Sequence, residues 1–130
     1  MKESINFRRD ITDDFERVVD RVTTALKTAG FGVLTRIDMH TKIEEKIGKK
    51  IQKVVILGAC NPTMAYEAYV ANPDVASLLP CNAVVRDIGK DTTSVEFVKP
   101  SVMMQIIGDK NLQQLAIKAD ALLEEALNHV

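Results

Sequence analysis

Two cysteines are the only thiols in this chain, and each is followed by an asparagine. Residues 58 to 62 read Gly58-Ala59-Cys60-Asn61-Pro62, and residues 79 to 83 read Leu79-Pro80-Cys81-Asn82-Ala83. Cys60 stands between an apolar strand and a helix start. Amide N–H groups at a helix N-terminus favour an anion, so a thiolate there would be stabilised and nucleophilic. The competing reading is a small apolar side chain filling a strand end, since cysteine is among the most buried residue types. Cys81 follows proline at a strand entrance, where the structural reading is stronger. If the two strands are neighbours, the sulfurs approach each other, and a reversible disulfide needs Cα atoms within about 7 Å.

Other chemistries find less support. The cysteines are 21 positions apart, neither is in a Cys-x-x-Cys pair, and His40 and His129 lie in other segments. Structural zinc sites show tighter ligand pairs, so no metal and no cofactor is expected. Asp13, Asp14 and Glu16 open a helix, while Glu44-Glu45 and Glu124-Glu125 read as solvated faces. No Ser-His-Asp set, phosphate loop or dinucleotide glycine pattern is present. Asn61 reads as an N-cap. Asn82 is expected to bond the Asn61 turn or to face a ligand.

The elements that must position these residues follow from periodicity. Residues 3 to 9 alternate, with Ile5 and Phe7 on one side, and read as a half-buried strand. Thr12 or Asp13 can cap the next helix, whose Phe15, Val18, Val19, Val22, Leu26 and Ala29 recur at helical spacing until Gly30. Residues 31 to 39 alternate again. Thr41 starts a short surface helix ending at Gly48. Val54 to Leu57 is a continuous apolar run, as in a strand covered on both faces, and is expected to end at Gly58.

Asn61-Pro62 starts a helix running to about Ala71, with Tyr69 expected in the core and Tyr66 pointing elsewhere. Asn72-Pro73-Asp74 breaks it. Residues 82 to 88 and 92 to 98 form a hairpin. Met103-Met104 with Ile106-Ile107 is either buried or a partner surface. Residues 110 to 129 form the last helix. The expected class is α+β: a five-stranded, mostly antiparallel sheet with two long helices on one face and short helices in the connections. The smaller helices are expected to cover part of the other face.

Leu57-Gly58-Ala59-Cys60-Asn61-Pro62 and Leu78-Leu79-Pro80-Cys81-Asn82-Ala83-Val84-Val85-Arg86, together with this element order, resemble the domain of unknown function 302 family. The resemblance covers essentially the whole chain, residues 1–130 as a single domain. It implies a fold similar to the TATA-binding-protein-like arrangement of one strand, a helix, four strands and a helix. It also implies a homodimer, and it brings no established activity. The family's motif positions map onto Cys60, Asn61, Cys81 and Asn82, with Pro62 and Pro80. Likeness of fold to a DNA-binding protein does not transfer function.

The totals bound the rest. With 17 basic against 18 acidic side chains the net charge is −1, which argues against nucleic acid as a partner. Apolar runs are too short to span a bilayer, and the opening residues carry no apolar stretch of signal-peptide length. A cytoplasmic location with reduced thiols is the expectation. Three functions stay open. The preferred one is a homodimeric binding module with a small-ligand or thiol site at Cys60, Asn61, Cys81 and Asn82. The second is a thiol-dependent enzyme or sulfur carrier acting through Cys60. The third is a structural or interaction protein without a catalytic site.

Overall fold

The computed structural model describes residues 4–130. Among these, five strands form one sheet in the order β1-β5-β4-β3-β2, and every neighbouring pair is antiparallel. The strands are β1 (Asn6–Thr12), β2 (Gly32–Asp38), β3 (Val54–Cys60), β4 (Cys81–Gly89) and β5 (Thr92–Val98). The helices are α1 (Phe15–Thr28), α2 (Met39–Ile47), α3 (Pro62–Ala71), α4 (Pro100–Met104) and α5 (Lys110–Asn128), with a 3-10 turn at Pro73–Leu78.

Helices α1 and α5 lie on the same face of the sheet, as their apolar stripes require. Val18, Val22 and Leu26 of α1 and Leu123 and Leu127 of α5 share one buried cluster with Val55, Leu57, Ala83, Val85, Val95 and Phe97 of the three central strands. Burying each such Val, Leu or Phe side chain contributes about 1.5–3 kcal/mol before the ordering entropy is set against it. Arg9 and Arg21 tie the end of α5 to this layer. Arg9 Nη1 donates to the carbonyls of Leu127, Asn128 and Val130, and Arg21 Nη2 donates to that of Val130 at 2.7 Å.

A second cluster lies beyond the end of the sheet. Ala68 of α3, Val75 of the 3-10 turn, Met104 of α4 and Leu112 and Ala116 of α5 are buried together there. Helices α3 and α4 and the 3-10 turn thus gather against the first half of α5 instead of covering the sheet's other face, while α2 packs beside β3. That outer face keeps Ile37 and Ile88 exposed and carries the Arg86–Glu96 ion pair at 2.6 Å.

Several boundaries differ from the sequence reading. β1 runs Asn6–Thr12 instead of residues 3 to 9, because its whole length pairs with β5, and Ile5 is exposed; residue 3 lies outside the described residues. Thr12 is taken into that strand and Asp13 binds Arg21. The N-cap of α1 is therefore Asp14, whose carboxylate accepts from the Arg17 N–H. α2 starts at Met39, two residues early, without a side-chain cap, since the Asp38 carboxylate is engaged by Arg36 Nε at 2.8 Å. β3 continues through Gly58 to Cys60 because both neighbours pair with it there. The β4–β5 turn is formed by Lys90 and Asp91, with φ of 54° and 57°.

Candidate functional site

The antiparallel register of β3 and β4 brings the two Cys-Asn segments to one end of the sheet. Ala59 pairs directly with Cys81. Cys60 is the next residue along β3, where it pairs with Gly32 of β2. Both cysteines are free and half-buried. The approach of segments here is close enough to require Gly58: a Cβ added there would collide with Thr35 Oγ1 and lie 2.8 Å from Pro80 Cγ.

Asn61 holds the turn that follows. Its Oδ1 accepts from the Met64 N–H at 3.1 Å, capping α3, and Pro62 takes the first helical position. Its Nδ2 lies over Gly30, where an added Cβ would approach to 3.1 Å. Gly30 has φ +92° and ends α1. One amide therefore couples the end of α1 to the start of α3.

Between the sheet end and the second cluster is a cavity of about 60 Å³, lined by Cys60, Asn61 and Cys81 together with Phe31, Met64, Met104 and other apolar side chains. A water-sized group needs about 10–15 Å³ of such space, so the cavity admits a few small groups. It is far below the several hundred Å³ of a drug-sized pocket. Because its walls are almost wholly apolar, it favours an apolar or polarisable occupant over a hydrated one.

Burial pushes the Cys81 thiol up to about 11, reinforced by neighbouring Cys60 and by Asp120. Cys81 is thus a neutral thiol at ordinary pH, a poor nucleophile by itself. Asp120 escaped the sequence reading. It sits on α5 and accepts from the Ser101 N–H at 3.0 Å and from Ser101 Oγ, which fixes α4 against α5 beside the cavity. Its signal was present: a carboxylate between Ala116, Ala119 and Leu123 on the buried stripe of an amphipathic helix.

The remaining candidates lie elsewhere. Asn82 pairs with Gly58 on the opposite face of the sheet, is exposed, and does not line the cavity. His40 is at the far end of β3, where its Nδ1 meets the Val54 backbone at 3.1 Å. His129 caps the last turn of α5 through the Glu125 carbonyl. Tyr69, expected in the core, is 53% exposed, and Tyr66 and Val70 are 70% and 64% exposed. Met64, Ala65 and Ala68 take the inward side of α3, so Tyr66, Tyr69 and Val70 form an outward stripe at i, i+3, i+4 spacing. Met104 is buried and Met103 packs against it, leaving Ile106 as the exposed apolar residue of that segment. Among the described residues, no group of three or more His, Cys, Asp or Glu side chains could hold a metal, and no helix is long and apolar enough to cross a membrane. A wider groove of about 730 Å³ follows α1 and α5, lined by residues such as Arg17, Thr24, Leu122 and Glu125, well apart from the thiols.

This fold, with two Cys-Asn segments meeting at one sheet end, has known relatives. Residues 7–130 match the family model described as Domain of unknown function DUF302, and the chain belongs to that family. The crystal structure of an uncharacterized conserved DUF302 protein from Bacillus stearothermophilus is similar throughout. It shares 28% identity, with a TM-score of 0.91 over 98% of each chain. No curated protein matches the chain.

Proposed function

We propose that residues 1–130 act as one cytoplasmic, homodimeric binding module whose ligand site is the cavity at Cys60 and Cys81. The observation that carries this reading is that the two cysteine-bearing segments meet at one sheet end and both contribute to the lining of a single apolar cavity. Such walls select a small apolar or thiophilic group. Asn61 contributes by holding the turn, and Asn82 stays outside the site. Free thiols suit a reducing compartment. A second reading, a thiol enzyme or sulfur carrier, is favoured by the place of Cys60 directly before the capped N-terminus of α3.

Labelling with the small reagent methyl methanethiosulfonate, followed by peptide mass analysis, separates these readings. The binding module predicts that both thiols react in the folded protein at rates no greater than that of a free thiol, with Cys81 the slower. A Cys60 rate far above that of a free thiol would move the assignment to thiol chemistry. Labelling only as fast as global unfolding would overturn the site altogether and leave a structural role for both cysteines.

The Tyr66, Tyr69 and Val70 stripe supports association, since α3 is apolar on its inward and outward sides alike. Sedimentation equilibrium should give a dimer at micromolar concentration, and Tyr69→Lys should shift it toward monomer. A wild-type monomer would refute the dimer.

A further inference from the structure

We infer that the connection between β2 and β3, residues 39–53, docks the protein on an anionic phospholipid surface, with Ile47 and Ile51 entering the headgroup layer and the lysines around them facing the lipid charges. No residue of α2 is buried, and residues 44–53 are all exposed. Ile43, Ile47 and Ile51 recur at intervals of four. Ile43 is half-buried where α2 packs beside β3, whereas Ile47 and Ile51 are 68% and 42% exposed. Lys50 Nζ lies 3.9 Å from Glu44 Oε1, which keeps the loop after α2 beside the helix. A single exposed isoleucine is ordinary. Two of them on one projecting segment, set among lysines, are what an interfacial anchor carries: the apolar side chains enter the acyl boundary and the ammonium groups stay at the phosphates.

Charge selects the occupant. Residues 42–53 hold five lysines and two glutamates, a balance of +3 in a chain whose total is −1, so the rest of the molecule stands at −4. Glu45 lies 3.7 Å from Lys42 and Glu44 is engaged by Lys50, while Lys46 and Lys49 have no carboxylate partner among the described residues. An anionic leaflet attracts this segment and repels the remainder, which turns the loop toward the lipid. A nucleic acid would leave the isoleucines unused, and the segment offers neither arginine nor an aromatic ring of Phe, Tyr or Trp for base contacts. The segment lies on the bilayer and does not span it, in keeping with the short apolar runs. It enters β3 at Val54, the end opposite Cys60, so this docking is independent of the cavity.

The test is flotation of the full chain, at low ionic strength, with phosphatidylcholine vesicles containing about 30% phosphatidylserine and with pure phosphatidylcholine vesicles. Binding to the anionic vesicles is expected to be about 100-fold tighter, at about fivefold for each unit of the +3 balance. It should fall toward the zwitterionic level in about 1 M salt, where the Debye length is about 3 Å. Lys46→Gln with Lys49→Gln should weaken binding by about 25-fold, and Ile47→Ser with Ile51→Ser by about 10-fold. Lys27→Gln with Lys118→Gln removes the same charge from exposed positions of α1 and α5 and should change binding by less than about twofold. Circular dichroism checks the fold of each variant. Equal binding to the two kinds of vesicle would overturn the inference, as would an equal loss in the Lys27 and Lys118 variant, which would reduce the effect to total charge. An unchanged isoleucine variant would also overturn it, since adsorption by charge alone needs no apolar anchor. Displacement from the vesicles by duplex DNA would move the surface to polyanions and remove the lipid assignment.

Discussion

Two hydrophobic clusters of unequal construction meet at the cysteines. Between the sheet and helices α1 and α5, large side chains such as Phe97, Leu57, Val85 and Val18 are fully buried, and the central strands are paired on both sides. Beyond the sheet end, the smaller cluster is built on Ala68, Val75, Met104, Leu112 and Ala116 and is held by short helices and a 3-10 turn. The void lies against this smaller cluster. A densely filled layer fixes the position of β3 and β4, while a lightly filled one, with adaptable methionines, supplies the wall that can adjust to an occupant. Local opening is expected from the smaller cluster first.

Identical substitutions in the two clusters should give unequal losses. Val85→Ala removes about 3 kcal/mol from the filled layer, and Val75→Ala about 1.5 kcal/mol from a region better able to collapse, both measured by urea unfolding. Equal losses would make the two clusters one cooperative core. Where the clusters meet, Gly58→Ala should cost about 2–3 kcal/mol through its collision with Thr35 and Pro80. A smaller loss would show that the sheet end gives way more easily than its packing implies.

The Cys81 thiol provides a pH test of the boundary. Burial pushes it from the ordinary value of 9.0 up to about 11 in the folded chain. The folded protein holds this proton more tightly than the unfolded one. Unfolding therefore releases it between pH 9 and 11, and stability falls across that window. Relative to Cys81→Ser, the wild type should lose about 2 kcal/mol from pH 9 to 11. Parallel pH profiles for the two proteins would mean that water reaches the sulfur. The smallest effect is expected from Asn61→Ala, about 1 kcal/mol for a lost cap. Its hydrogen-exchange signature should be confined to the first turn of α3 and the end of α1.

Much of this was legible in local sequence. The stripes of α1 and α5 follow from helical spacing, and Asn61-Pro62 marks the start of α3 without any tertiary information. The meeting of Cys60 and Cys81 follows from reading β3 and β4 as adjacent antiparallel strands. What failed depended on partners distant in sequence. The true extent of β1 is set by β5, so Asp10, Ile11 and Thr12 fell outside the strand read locally over residues 3 to 9. Tyr69 points outward because Met64, Ala65 and Ala68 take the side of α3 that faces the cavity. The placement of Asn82 was recoverable: it adjoins Cys81 in a strand, and strand alternation sends the two to opposite faces. Met64 and Met104 had no local mark of membership in the site, since only the packing of α3 and α4 on α5 brings them together.

The pairing of β1 with β5 also has a consequence for how the protein is made. Phe7 faces Phe97 in the register, so at roughly 5–20 residues per second the ribosome delivers the partner strand about 90 residues, or some 5 to 20 seconds, after the first has emerged. Through that interval β1 has no sheet to join. Its three consecutive charged residues, Arg8, Arg9 and Asp10, keep a waiting strand from pairing with the wrong chain. The charges along β1 thus protect it on the nascent polypeptide.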